Sequence, residues 1–382
     1  MEILFYFSIS LIAILISCII FSNSIEWLGA RLNLSHGITG SVLAAVGTAL
    51  PETIVPLVAI FWGISQENLV KVLKGQADTL NSINQISMGA IIGAPFMLST
   101  VAFFLIGFSS YLYFKSGRRK SKNINVDKTV LERDLSFFIV SFSLAFLAIF
   151  LSHTFHVILA IVMMILYMVY LYKTIKEETK GEYKGEELEE NLDPFFLTKF
   201  IPNFPPKALQ RGGQAGLRPG GSVLWRTPMA EKPTTFLIWF QLVVSLVLLL
   251  FSAHHFVEVI KEISNKLNFP AFIISLLLTP LATELPEKFN SWMWIRQKKD
   301  TLAVGNVSGA LVFQSTFPVS IGLLFTSWHV TSKVSYLTFI FCLISAAIVL
   351  FASKKNKLTF KTFLLGGLFY LTYLVFIIFK SN

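Results

Sequence analysis

The chain of 382 residues is 54% hydrophobic and only 14% charged, with a mean hydropathy of +0.66, whereas a water-soluble domain carries about a quarter charged residues. That excludes soluble, disordered and nucleic-acid-binding classes and makes the lipid bilayer the chain's main partner. The formal charge of +10 then records which loops stay cytoplasmic and implies no acidic ligand.

Apolar runs of about 20 residues, enough to cross a bilayer core, predict ten spans in chain order: 3–21, 36–63, 83–113, 134–152, 155–173, 234–254, 270–296, 301–326, 334–352 and 361–380. The first follows Glu2 with no basic segment and no small-residue cleavage site, so it reads as a membrane helix and not a signal peptide. Cys18 and Cys342 lie inside apolar runs, where a thiol behaves as a small hydrophobe; neither a disulfide framework nor a cysteine metal site is expected. Between the fifth and sixth spans, residues 174–233 cannot span: the acidic run Glu177–Glu190 precedes a Pro/Gly/Arg-rich stretch, Pro202–Pro233. The acidic run lacks the spacing of a calcium-binding EF-hand loop and reads as solvated. The histidines fall near span ends, or between spans at His153 and His156, and are expected at solvated interfaces. The fold expected is an all-α integral membrane protein with a first five-helix unit (1–173), a cytoplasmic hinge (174–233) and a second five-helix unit (234–382).

Lys and Arg mark cytoplasmic loops. With both termini outside, Arg31, the Lys115–Arg133 and Lys173–Lys232 segments, the Arg296–Lys299 turn and the Lys354–Lys361 turn all fall inside, twenty-five basic residues against six outside. This orientation, with the hinge in the cytoplasm and the chain in the plasma membrane, is the one the sequence favours.

Five spans per half force the second half to enter the membrane with inverted orientation, and an internal repeat fits that. A shift of 235 residues lays Gly47-Thr48-Ala49-Leu50-Pro51-Glu52 on Ala282-Thr283-Glu284-Leu285-Pro286-Glu287, both T-x-L-P-E. A shift of 216 then lays Gly89, Gly93, Ser99 and Thr100 on Gly305, Gly309, Ser315 and Thr316. The difference, 19 residues, is extra length after Glu52 that holds the polar stretch Gln66–Asp78.

Pro51 and Pro286 lack an N–H, so each motif should break its helix near mid-membrane and free backbone carbonyls. A carboxylate buried there costs about 2.5–3.5 kcal/mol on insertion scales and calls for a partner. Glu52 and Glu287, with the Thr48 and Thr283 hydroxyls and the freed carbonyls, make an all-oxygen cage suited to a hard cation such as Ca²⁺. Lys288 is the basic residue within these spans, its direction open. Glycines four apart on one helix face, Gly89 with Gly93 and Gly305 with Gly309, should let the motif helices approach closely.

These residues resemble the α-repeats of the Ca²⁺:cation antiporter superfamily, which includes the sodium/calcium exchangers. The resemblance covers both motif copies, the ten spans and the hinge. It implies exchange of Ca²⁺ against Na⁺ or H⁺ by alternating access, with no cofactor, no obligate protein partner and inorganic cations as substrates, and a transporter rather than an enzyme. Glu52 and Glu287 match the family's essential glutamates, and Thr48 and Thr283 its motif threonines. Ala49 and Glu284 stand where serines are usual, and Ala94, Leu98, Ala310 and Gln314 replace further polar ligands. Glu284 adds a carboxylate one turn before Glu287 and is expected to share a proton or cation with it, which favours fewer bound ions and proton coupling. Gln314 is a further candidate ligand; Ser99, Ser315 and Asn306 are secondary ones.

Each candidate has a plainer reading. A membrane threonine often bonds back to its own helix, and Asn306 can serve as helix-packing glue. The alternatives to a Ca²⁺ antiporter are an H⁺- or Na⁺-coupled exchanger of another cation, since oxygen ligands alone do not select the metal, and an ion channel. A channel usually assembles its filter from several subunits, whereas this chain carries its own two-fold repeat. No hydrolase motif accompanies the two carboxylates.

Overall fold

The computed structural model describes residues 2–31, 45–62, 78–178, 195–197, 233–329 and 333–381. The expectations for the Gln66–Asp78 stretch, His36, the acidic run and the Pro/Gly/Arg-rich stretch lie almost wholly outside them. The described chain is helical throughout: α1 (Glu2–Arg31), α2 (Ala45–Trp62), α3 (Asp78–Met97), a π-helical turn (Leu98–Ala102), α4 (Phe103–Lys115), α5 (Lys128–Ala148), α6 (His153–Glu178), α7 (Thr235–Leu267), α8 (Ala271–Thr283), α9 (Leu285–Arg296), α10 (Asp300–Phe325), α11 (Lys333–Lys354) and α12 (Phe360–Ser381). Among the described residues, seven stretches are long and apolar enough to cross a membrane, in α1, α3–α4, α6, α7, α10, α11 and α12. The apolar parts of α2 and α8, Glu52–Phe61 and Ala271–Leu281, are shorter, and α5 opens on charged residues including Glu132, Arg133 and Asp134.

Burial separates a centre from a periphery. The apolar windows of the α3–α4 span and of α10 are 78% and 89% buried, against 22% for α1 and 33% for α7, so α3 and α10 form the middle of the bundle. Around them α8 lies along α3, α5 and α6 lie along α10, and α12 lies along α4 and the π turn. The long α1 and α7 pack side by side and close over α2 and α8 through Ile14, Cys18, Val55, Ala59, Leu249, Phe256 and Ile274. Their outer faces display Phe5, Ile9, Ile16, Phe240, Val247 and Phe251, which an apolar solvent accommodates.

Between helices, polar side chains set the register. On α5, Asp134 and Ser141 stand two turns apart, and they meet Ser308 (2.7 Å) and Ser315 (2.6 Å), two turns apart on α10. Arg119, in the turn after α4, grips Asp300 at the start of α10 with two contacts of 2.6 and 2.7 Å, a bidentate pair buried on both sides. Where α1 and α7 run together, Gln241 donates to Ser24 and Asn23, and the backbone amides of Phe196 and Leu197 donate to Asn23 and Gln241.

Several expectations change. The helix breaks at the second T-x-L-P-E copy only: α8 ends at Thr283, Glu284 leaves helical geometry at φ −94° and ψ 6°, and α9 starts at Leu285. At the first copy α2 runs through Pro51 and Glu52 without interruption. Proline at the first turn of a helix fits its fixed φ, while proline inside one forfeits a single bond that a membrane helix can tolerate. The glycines diverge too. A Cβ on Gly89 or Gly93 would lie 2.4 or 2.3 Å from the carbonyl oxygens of Phe272 and Leu276 in α8, but on Gly305 or Gly309 the nearest atoms would be 3.8 and 3.5 Å away. Only the first pair is a close-approach stripe. His156 is buried, its Nε2 2.8 Å from the Ala148 carbonyl, because the α5–α6 turn folds back on itself; His153 stays exposed.

Gly93→Val should therefore lower the thermal unfolding temperature in detergent micelles, by a destabilisation of about 1–3 kcal/mol for overpacking, while Gly309→Ala should leave it nearly unchanged; equal losses at both positions would contradict this packing.

Candidate ion-binding site

The site gathers around the α8–α9 interruption and the facing stretch of α2. Because α8 stops at Thr283 and α9 restarts two residues later, Glu284 and Glu287 are both carried at the discontinuity. Glu52 approaches from α2. All three carboxyls are buried, at 3%, 0% and 1% exposure for Glu52, Glu284 and Glu287, and they lie near enough for the charges of Glu287 and Glu284 to act on Glu52. Both Glu52 carboxylate oxygens are closed off from solvent and have no hydrogen-bond partner among the described residues.

Lys288 is the group whose role sequence spacing left open. Its Nζ lies 2.9 Å from Glu284 Oε2, an i, i+4 ion pair with both side chains buried, and it donates to the Pro280 carbonyl at 3.2 Å. The partner of the extra carboxylate is thus a resident ammonium. Four residues of helix bring the lysine back over Glu284.

The other predicted residues divide. Gln314, on α10, is buried and lies against Glu284. The Thr283 hydroxyl bonds back to the Thr279 carbonyl at 3.2 Å, the plainer of its two readings, though its oxygen keeps lone pairs. The Thr48 side chain lies outside the described residues. Asn306 reaches the Glu287 carbonyl and Ser291 Oγ, each at 3.4 Å, tying α10 to α9. Ser99 donates to Cys342 Sγ on α11 at 3.1 Å, and Ser315 meets Ser141 on α5, so both serines are engaged with neighbouring helices. Cys18 and Cys342 are free and buried; Cys18 stands within electrostatic range of Glu52 and Glu287, and Cys342 of Glu284.

Among the described residues no three His, Cys, Asp or Glu side chains converge as a ready-made metal site. Sequence reasoning missed two residues that shape the surroundings. Asp134 is 1% exposed and is held by Arg133 at 2.9 Å and by Ser308; an acid at the edge of an apolar run was the available signal. Asp300 opens α10 and has no signal until Arg119 is seen beside it.

A family-wide sequence profile described as sodium/calcium exchanger protein matches residues 2–176 and 237–381. None of the curated proteins matches the chain in sequence. Among solved structures, the chain is similar to the H⁺/Ca²⁺ exchanger CAX, with a TM-score of 0.67 and 16% identity over 98% of this chain and 82% of that one. It is also similar to the sodium-calcium exchanger NCX_Mj soaked with Na⁺ and Sr²⁺, with a TM-score of 0.55 and 19% identity over 98% of both chains. At such identities the likeness is one of fold.

Removing one member of a buried pair strands the other, at about 3–5 kcal/mol, whereas removing both is often neutral. Lys288→Met should accordingly destabilise the protein strongly in thermal melts, and Glu284→Gln combined with Lys288→Met should recover most of the loss; a double variant no more stable than Lys288→Met would contradict the pairing.

Proposed function

Since the chain belongs to the sodium/calcium exchanger protein family, an integral membrane family of cation antiporters, we propose that it exchanges Ca²⁺ against Na⁺ or H⁺ by alternating access, the ion held between Glu52 and Glu287. The observation that carries this is Glu52: a carboxylate sealed in the bundle with no protein hydrogen-bond donor among the described residues. An uncompensated buried anion is expensive, and a bound cation or proton removes that cost. Ca²⁺ takes six or more oxygen ligands. Two glutamates supply part of the shell, and the Thr48 and Thr283 oxygens, the Gln314 amide and backbone carbonyls at the α8–α9 break supply the rest.

The two halves, 1–173 and 234–382, are proposed as inverted repeats joined by the 174–233 hinge. Their packing supports this: α6 of the first half lies on α10 of the second, and α12 of the second lies on α4 and the π turn of the first. Ser99 and Ser315, equivalent under the repeat, each bond to a helix of the opposite half. The distribution of Lys and Arg supports both termini outside and the hinge in the cytoplasm, and residence in the plasma membrane is proposed with it.

Uptake of ⁴⁵Ca²⁺ into proteoliposomes should follow an outward Na⁺ or H⁺ gradient, and Glu52→Gln and Glu287→Gln should each reduce it to the protein-free level. The gradient that works identifies the coupling ion. Folded protein that takes up no Ca²⁺ under either gradient would overturn the substrate assignment.

A further inference from the structure

Both α11 and α12 are long and apolar enough to span a membrane, so the turn that joins them lies at a membrane surface. That turn is basic: Lys354, Lys355 and Lys357 are followed by Lys361 in the first turn of α12. After Asp300 the sequence holds no Asp or Glu, so neither helix can neutralise its own lysines. Among the described residues no ion pair reaches Lys355, Lys357 or Lys361. An open groove of about 470 Å³ runs between the two helices. Its surface end is walled by these three lysines, and its membrane end by Ile348, Phe351 and Leu365. Asn356, at φ 54°, reverses the chain and brings lysines from both helices to the one groove. Lys355 Nζ lies 4.2 Å from the centre of the Phe351 ring, which holds that ammonium at the boundary between the basic and apolar walls. Lysines alone would only mark a cytoplasmic loop; an apolar groove continuing from them is a separate feature.

We propose that this groove binds an anionic phospholipid, with its phosphate against Lys355, Lys357 and Lys361 and one acyl chain along Ile348, Phe351 and Leu365. Three ammonium groups with no acid in the groove wall attract an anion, and a membrane surface supplies anionic headgroups at high local concentration. Lys361 and Thr362 add the positive end of the α12 dipole to the same wall. A free phosphate would use the lysines and leave the apolar wall unused, whereas a lipid covers both and removes apolar surface from contact with water at the interface. A zwitterionic lipid carries its own cation beside the phosphate, which the lysines repel. On the orientation proposed above, the lipid belongs to the cytoplasmic leaflet. No residue of the ion-binding site takes part.

Native mass spectrometry of the full chain in detergent micelles, titrated with phosphatidylglycerol or phosphatidylcholine, tests this. The wild type should bind phosphatidylglycerol more tightly. Lys355→Gln, Lys357→Gln and Lys361→Gln combined should weaken that binding about a hundred-fold, at about five-fold per lysine, and leave phosphatidylcholine nearly unaffected. Lys115→Gln, Lys120→Gln and Lys128→Gln combined remove the same charge from exposed positions around the α4–α5 turn and should weaken it far less. Leu365→Trp keeps every lysine but fills the apolar end of the groove, and it too should weaken phosphatidylglycerol binding. Equal losses from the two lysine sets would show diffuse charge attraction and overturn the proposal. So would equal affinity for the two lipids, or a Leu365→Trp variant that binds as the wild type does. Displacement of phosphatidylglycerol by inorganic phosphate, but not by chloride at equal ionic strength, would mark a free-anion site and overturn it as well.

Discussion

An anionic side chain inside a water-excluded helix bundle must be matched by a positive charge or by hydrogen-bond donors, because neither water nor dielectric screening is there to do it. Much of this structure answers that constraint. Asp300 is held bidentately by Arg119 and also receives the Asn125 amide. Asp134 is held by Arg133 on one oxygen and by the Ser308 hydroxyl on the other. Glu284 has Lys288. Glu52 has two buried oxygens that meet no hydrogen-bond donor among the described residues, and the charge of a second motif glutamate acts on it.

The same accounting explains why related halves look different. Each T-x-L-P-E copy puts a proline one residue before its glutamate, yet Pro51 sits within an unbroken α2 while Pro286 lies in the first turn of α9. The residue at the break is Glu284, and its counterpart in the first copy is Ala49. Where the second copy interrupts its helix, a carboxylate and a lysine four residues on close over the gap, the ammonium also covering the Pro280 carbonyl. Where the first copy has only alanine, the helix continues. The glycine stripes diverge in the same way. Gly89 and Gly93 let α3 approach the α8 backbone so closely that no side chain fits between, and on α10 the corresponding positions face Val130 and Tyr170 at ordinary distances. The broken segment α8–α9 is thus clamped from α3 through backbone contact and from α10 through Asn306 and Ser291.

Polar contacts order the centre, and an apolar pair of helices lies outside it. The α5–α10 register rests on two polar contacts two turns apart, which fixes both rotation and height of one helix on the other, and Arg119 ties the turn after α4 to the head of α10. By contrast α1 and α7 meet the rest mostly through aliphatic and aromatic contacts, with their polar links gathered at Asn23, Ser24 and Gln241. Apolar contacts lack the directional geometry of hydrogen bonds.

Composition, run length and the doubled motif were enough to read off a helical membrane protein and the family, and to pick out two glutamates that the fold buries, because the bilayer makes long apolar runs obligatory and a buried acid conspicuous. They could also rank Glu284 as a candidate, since an acid where the repeat has alanine stands out along the chain. They could not say what that acid touches. Whether Lys288 turns toward Glu287 or Glu284, whether Ser99 and Ser315 face an ion or a neighbouring helix, and whether a proline breaks its helix or sits within it depend on rotation about helix axes and on contacts between residues 174 or more positions apart, such as Ser141 with Ser315 and Ser99 with Cys342. Those are settled when helices pack, where close approach and the cost of unpaired buried charge choose among side-chain directions that one-dimensional spacing leaves equivalent.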